Sequence, residues 1–290
     1  MSPAENDSTS PRAATTRRGL VRAAVGAVLA IAGSAGAVAL AAQPARAPVR
    51  ILLLGDSTVE GSICRKAEPD ADHLESILRK RLAAEPGVPA VEVVNQGRDG
   101  EYIQRLLEQR YDREIKPLGR FDVVLIRYGI NDRARREGFP EAFVADYRAL
   151  VARLRRDHPG AMILLETTIP YANPDAEKSI NDRVREVAEL ERLPVIDIHA
   201  AFARALERSG PQALTYRRVD LDAVPERLRP LIPPAALSVV RNQVVVMDQR
   251  VDAHFREVPR WFADRHPNLA GYHEIAEALA LELAPRLRGK

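Results

Sequence analysis

Cysteine occurs once in the 290 residues, at position 64. One thiol excludes a disulfide within the chain, so stability must come from a packed core. Nothing beside Cys64 argues for a lowered thiol pKa. A small residue in the loop after the first strand is therefore the plainer reading, against a thiol nucleophile. The six histidines show no H-x-x-x-H or Cys/His spacing of the kind that holds a metal. Net charge is scarce once its location is considered. Of 43 Lys plus Arg and 40 Asp plus Glu, the first 47 residues hold Arg12, Arg17, Arg18, Arg22, Arg46, Glu5 and Asp7, leaving 38 of each sign beyond them. A balanced body presents no nucleic-acid surface. Internal repeats are absent, as are low-complexity tracts beyond the start of the chain, and at 46% hydrophobic the chain can bury a sizeable core.

What the body lacks in one-signed charge, the first 47 residues have. "TTRRGLVR" leads into an uncharged run from Ala23 to Ala42 of mostly Ala, Val, Leu, Ile and Gly. Small-residue sites follow at Ala39-Leu40-Ala41 and Ala45-Arg46-Ala47, as export-signal cleavage requires. Arg17-Arg18 before a mildly hydrophobic core resembles a twin-arginine signal. The alternative is a retained anchor, since twenty uncharged residues just span a bilayer. Either way residues 1–47 form an export signal or membrane anchor. The folded part is expected outside the cytoplasm, in a periplasmic, secreted or envelope-associated form.

From residue 48 to 290 the chain reads as one domain with a β–α alternation. Strand-like runs occur at Val49–Leu54, Val91–Asn95, Phe121–Arg127, Ala161–Thr167 and Pro194–Asp197. Between them, apolar residues recur at helical spacing: Leu74-Ile77-Leu78-Leu82, Phe143-Tyr147-Leu150-Val151-Leu154 and Val184-Val187-Leu190. Helices are also predicted over Tyr102–Tyr111 and Asn268–Leu287. Short apolar strands alternating with amphipathic helices imply an α/β fold, a parallel sheet covered on both faces. Residues 209–262 break the rhythm, with five prolines between Pro211 and Pro234, and predict an irregular, cap-like insertion before the last helix.

Ligands of open parallel sheets bind beyond the carboxyl ends of the strands. This chain places Gly55-Asp56-Ser57 after the first strand, "NQGRDGEY" (Asn95–Tyr102) after the second and "GIND" (Gly129–Asp132) after the third. "ADRHPNLAGYHE" (Ala263–Glu274) stands before the last helix. A serine hydroxyl needs a base to take its proton, and histidine has the right pKa. The imidazole needs an acceptor on its other nitrogen, commonly a carboxylate. The developing oxyanion needs preorganised donors, each contributing roughly 3–4 kcal/mol in comparable sites. Ser57, His266 and Asp264 fill the first three roles. The amides of Ser57 and Gly97 with the Asn131 side chain are the candidate donors.

These four segments, in this order and at these strand ends, resemble the blocks of the SGNH hydrolases, the GDSL-type esterases and lipases. The resemblance covers about 49–287, with 209–262 as an addition. It implies a three-layer, flavodoxin-like sandwich of about five parallel strands. It also implies hydrolysis of small acyl esters through an acyl-enzyme on Ser57, with no metal or cofactor. One departure stands out. The family carries its acid three residues before the histidine, where this chain has Ala263, and the nearest acid is Asp264, two before. In an extended segment alternate residues share a face and the pair can meet. Otherwise Asp252 or Glu257 reaches in from the insertion, or the enzyme runs as a Ser–His pair with a backbone carbonyl behind it.

Further residues carry plainer readings. His273 competes with His266 as base but falls inside the last helix. His73, His158, His199 and His254 read as surface or structural, Asp132 as a loop buttress and Asp197 as structural. Asp56 and Arg127 are candidate substrate contacts, Arg127 having a wall ion pair as its alternative. The strand-three sequence "VLIRYGINDR", the expected export and the polar, Arg-rich insertion look more like family members that remove acetyl groups from polysaccharides, which implies acetyl esters as substrates. The alternatives are a lipid, acylglycerol or thioester hydrolase on the same site, or a catalytically weak carbohydrate-binding or acyltransferase-like module. No nucleic acid is expected as partner, and membrane contact only through a retained N-terminal segment.

Overall fold

The computed structural model describes residues 47–288 apart from 172, 211, 233–241 and 248. The segment 1–47, expected to be an export signal or membrane anchor, thus lies outside the described residues except for Ala47, as does the beginning of "SVVRNQVVVMDQRV". The five apolar runs form strands β1 (Val49–Gly55), β2 (Val91–Asn95), β3 (Val123–Arg127), β4 (Met162–Glu166) and β5 (Val195–Ile196). All pair in parallel in the order β2-β1-β3-β4-β5. In that order the connection direction reverses between β1 and β3, so the crevice that binds ligands in such sheets opens beyond these two strands.

The helices are α1 (Ser57–Glu60), α2 (Ser62–Ala67), α3 (Leu74–Ala84), α4 (Ile103–Arg105), α5 (Ile130–Arg135), α6 (Glu141–Asp157), α7 (Pro174–Glu191), α8 (Ile198–Ser209), α9 (Asp252–Phe255) and α10 (Leu269–Leu287). Strand alternation divides the core in two. Ile51, Leu53, Val123 and Leu125 face α3, α8 and α10, whereas Leu52, Leu54, Val124 and Ile126 face α6 and α7. The predicted stripes of α3 and α6 are buried residue for residue. On α7 the stripe stops at Val187, and Leu190 is exposed.

The helix predicted over 102–111 takes a different form. After α4 the chain widens into a π-helix, Leu106–Ile115, which turns both Arg110 and Tyr111 inward. Arg110 there grips the Glu101 carboxylate with Nε at 2.8 Å and one terminal nitrogen at 2.6 Å, and also reaches the Gln96 carbonyl. A wide turn of this kind commonly borders a functional site. Here it fixes the loop after β2.

The insertion is turn-rich, as its prolines predict, yet it carries order of its own. Strands β6 (Arg217–Asp220) and β7 (Gln243–Val246) pair antiparallel. Val219, Val244 and Val246 point to one side, into a satellite cluster with Val224, Leu228, Phe255, Val258 and Trp261. Val245, on the other face, joins the main core beside Leu214 and Tyr216. Trp261 stacks on Phe255 at 4.8 Å and donates its indole N–H to Asp252, which also pairs with the buried Arg217. Among the described residues no helix is long and apolar enough to cross a membrane.

Trp261 is the keystone of this satellite core. Trp261→Ala is expected to cost about 3–5 kcal/mol in urea unfolding, the usual scale for truncating a buried tryptophan. Amide exchange should accelerate over 217–262 while β1, β3 and β4 stay protected. Unchanged exchange there would show that the insertion is held by other means.

Candidate active site

β1 ends at Gly55, and the chain folds straight back into α1. A Cβ at Gly55 would lie 2.3 Å from Val59 Cγ2 and 2.7 Å from the Arg127 carbonyl oxygen, so only glycine permits this turn. The Asp56 carboxylate caps α1 by accepting from the Thr58 amide at 2.9 Å and its hydroxyl at 2.7 Å. Ser57, the first residue of α1, is thereby held at the strand end, partly exposed to the crevice.

Ser57 Oγ lies 2.8 Å from His266 Nε2, and His266 Nδ1 lies 2.6 Å from Asp264 Oδ1. Residues 263–266 form neither helix nor turn, and an isolated antiparallel bridge joins Thr215 to Pro267. Hydrogen bonds from the Tyr216 amide to the His266 carbonyl and from the Asn268 amide to the Leu214 carbonyl continue it. In an extended chain positions 264 and 266 share a face, which is how Asp-x-His brings acid and imidazole together. Asn268 then caps α10 by accepting from the Gly271 amide, while its Nδ2 donates to the carbonyls of Ala213, Thr215 and Met247. The helix start is thus tied to the insertion.

The Asp264 carboxyl is 6% exposed. Burial alone would raise its pKa, but the hydrogen bond and charge of His266, the His266 amide and the Arg218 guanidinium together hold it below the ordinary value. Tyr216 stacks on the imidazole, 8° from parallel, and Tyr171 meets it edge-on at 5.1 Å. Of the other acids proposed from the insertion, Asp252 is occupied by Arg217 and Trp261, and Glu257 is exposed.

The donors are arranged less simply. The Ser57 amide meets no acceptor among the described residues. Asn131 gives one amide hydrogen to the Glu101 carbonyl at 3.2 Å, which leaves its second free for a ligand. The Gly97 amide, expected as a third donor, instead donates to Asn95 Oδ1 at 2.9 Å within its own turn. Glycine is needed at 97 for a packing reason, because a Cβ there would lie 2.4 Å from the Glu60 backbone nitrogen.

The two candidate substrate contacts are also corrected. Asp56 is 1% exposed and turned into α1 as its cap. Arg127 is 1% exposed as well, bonded to Glu166 at 2.9 Å and to the Thr58 carbonyl at 2.9 Å. It is the wall ion pair, and it braces α1 from beneath. His273 is exposed on α10, His199 bonds Glu177, and Cys64 is buried with its thiol pKa pushed up to about 12 by burial. No cluster of three His, Cys, Asp or Glu stands together among the described residues.

Reasoning from sequence missed Tyr216, Arg218 and Tyr171. For the first two a signal exists: in an extended "TYRRVD" segment, Tyr216 and Arg218 fall on one face and Arg217 on the other. Two cavities adjoin the catalytic line. One of about 90 Å³ opens on Ser57, Ile63, Tyr216, His266 and Tyr272. Another of about 600 Å³ is walled by Asp99, Tyr171, Arg218, Asp220, Gln243 and Arg260.

The GDSL-like lipase/acylhydrolase family profile matches residues 53–217. Among solved structures, the chain is similar to an alpha/beta hydrolase enzyme from the metagenome of Lake Arreo, Spain. That match has 21% identity and a TM-score of 0.53, over 82% of this chain and 97% of that one. It is also similar to an acetylxylan esterase from Geobacillus stearothermophilus, at 20% identity and TM-score 0.54 over 83% and 96% of the two chains. A lipase/acylhydrolase from Enterococcus faecalis matches at 17% identity and TM-score 0.51, over 83% and 98%. At these identities the likeness speaks for the fold. Comparison with curated proteins returns no match.

Below the serine turn, Asp132 is fully buried. Its Oδ1 accepts the Ile103 amide, while its Oδ2 has no partner, and burial with the nearby Asp56 carboxyl pushes its pKa up to about 7. A carboxyl whose pKa is raised on folding favours the native state while protonated. Its contribution is full below about pH 4, falls as pH rises and is gone above about pH 7. Asp132→Asn is therefore expected to gain stability relative to the parent on going from pH 5 to pH 8 in thermal melts. A difference independent of pH would show that Asp132 ionises normally.

Proposed function

This chain belongs to the GDSL-like lipase/acylhydrolase family and is an SGNH-type carboxylic ester hydrolase, and we propose that it cleaves small acyl esters, acetyl above all, from hydroxyl-rich carbohydrate. The observation that carries the catalytic reading is the unbroken line from Ser57 Oγ through His266 to Asp264, at 2.8 and 2.6 Å. Ser57 Oγ attacks the ester carbonyl as His266 Nε2 takes its proton. Asp264 keeps the imidazole in the Nδ1–H tautomer and stabilises the imidazolium that forms. The Ser57 amide and Asn131 Nδ2 hold the oxyanion. Collapse of the tetrahedral adduct breaks the ester C–O bond, and His266 returns the proton to the leaving alcohol. Water then enters by the same route and releases the acid.

The two cavities support the substrate class. The small one beside Ser57 suits an acyl group of a few atoms. The large one, lined by two acids, two arginines and Gln243 besides the catalytic Asp264, offers donors and acceptors in near balance, as a neutral polyol requires. A lipid would meet charged walls there. A second reading has one observation in its favour: a cavity of about 180 Å³ bordered by Ile130, Ala134, Tyr171, Ala176 and Ile180, with Arg133, Thr168 and Glu177 at its wall, exposes mostly apolar surface and would hold a longer acyl chain. Export rests on the Arg17-Arg18 pair, the uncharged run and the A-x-A sites.

Acetate release from acetylated xylo-oligosaccharide is expected for the parent chain and absent in Ser57→Ala. A fluorophosphonate probe should label Ser57 and fail to label His266→Ala. Asp264→Asn should lower kcat by about three to four orders of magnitude, as loss of the orienting acid does elsewhere. A chain-length series decides between the readings: a rate maximum at acetate supports the first, and turnover of long-chain esters alone overturns it in favour of the apolar cavity.

A further inference from the structure

The register that the Thr215–Pro267 bridge sets has a second consequence. In an antiparallel pair, residues advance in opposite directions on the two chains. Tyr216 therefore stands opposite His266, and Arg218 opposite Asp264. The side chains agree with this: Tyr216 stacks on His266, and Arg218 Nε lies 2.7 Å from Asp264 Oδ2. Each of the two residues behind Ser57 thus has a cross-strand partner, and both partners come from the approach to, and first strand of, the insertion.

We propose that Arg218 is a positioning residue for the ester hydrolysis, holding the Asp264 carboxyl so that Oδ1 stays in line with His266 Nδ1. This rests on the reading of Ser57, His266 and Asp264 as the catalytic line. The carboxylate of Asp264 is gripped at both oxygens, Oδ1 by the His266 ring and amide and Oδ2 by Arg218. A carboxylate held only at Oδ1 is free to rotate about its Cβ–Cγ bond and lose the imidazole, whereas a cation 2.7 Å from Oδ2 opposes that rotation. Arg218 is itself only 30% exposed and lines both the cavity at Ser57 and the larger cleft. Its terminal nitrogens meet no other hydrogen-bonding partner among the described residues.

The titratable groups around this pair include Asp56, Cys64, Tyr171, Tyr216 and Tyr272, and the charged Lys66, Asp99, Asp220 and Arg260 border the two cavities that Arg218 lines. Asp56 is buried with its pKa raised. Burial pushes up Cys64 and all three tyrosines, so those four are uncharged at neutral pH. Arg218 is the permanent cation in contact with Asp264. Removing it takes a fixed positive charge from beside the Asp264–His266 pair, which moves the acid limb of the rate profile to higher pH.

The test is the pH dependence of kcat/KM on 4-nitrophenyl acetate for the full chain, Arg218→Gln and Arg218→Lys, with Tm recorded for each. In Arg218→Gln the acid limb should move to higher pH and kcat should fall roughly ten- to a hundredfold, the scale of one charged contact, with KM little changed. Arg218→Lys keeps the charge, so it should retain the parent limb and recover part of kcat. A merely structural Arg218 would alter Tm without moving the limb. Parent-like kcat and acid limb in Arg218→Gln overturn the assignment. Should that variant melt early, an acid limb in Arg218→Lys displaced from the parent's at parent-like Tm overturns it equally. Failure of a fluorophosphonate to label Ser57 in the parent chain overturns the catalytic line, and with it the role of Arg218. Labelling with an unmoved limb removes Arg218 alone.

Discussion

The Asp264 carboxylate is buried where desolvation favours its neutral form, and the site depends on that preference being reversed. Its neighbours reverse it: the His266 ring, the His266 amide and the Arg218 guanidinium. The antiparallel bridge between residues 214–216 and 266–268 sets these groups side by side, and Arg218 reaches Asp264 just beyond it. That pairing puts acid and imidazole on one face despite the two-residue spacing. It also brings the insertion into the chemistry, since Tyr216 and Arg218 stand immediately before and within its first strand.

A second layer of buried polar contacts holds the serine side of the crevice. Arg127 links Glu166 on β4 to the Thr58 carbonyl in α1. Arg110 and the Tyr128 hydroxyl both reach the Glu101 carboxylate, whose backbone carbonyl receives Asn131. Buried pairs of this kind contribute little net stability but lose much when one partner is removed. Their value here is geometric: they fix α1 and the loops after β2 and β3 relative to one another. The π-helix belongs to the same device, because it carries Arg110 to the Glu101 carboxylate.

Much of this was legible in the sequence, and the gaps have physical causes. Continuous apolar runs fixed the five strands to within two residues at either end, because a strand buried on both faces tolerates few polar residues. The stripes of α3 and α6 were equally plain. Leu190 was misjudged since periodicity alone does not say where a helix outruns the sheet it covers. Ser57, His266 and Asn131 could be named from their strand ends. Asp56, Gly97 and Arg127 could not be assigned correctly, because capping, turn closure and wall pairing use the same residue types as substrate binding. Arg218 was missed for a different reason: alternation puts it on the face of Tyr216, but its contact with Asp264 depends on a cross-strand register between segments some fifty residues apart.

The central claim is that Asp264, in its extended Asp-x-His setting, fixes the His266 tautomer. Nitrogen-15 NMR of the histidine ring in the resting protein tests it most directly. The account predicts neutral His266 protonated at Nδ1 and bare at Nε2, with the Nδ1 proton far downfield and lost in Asp264→Asn. A resting His266 protonated at Nε2, or an Nδ1 signal indifferent to Asp264, would contradict it.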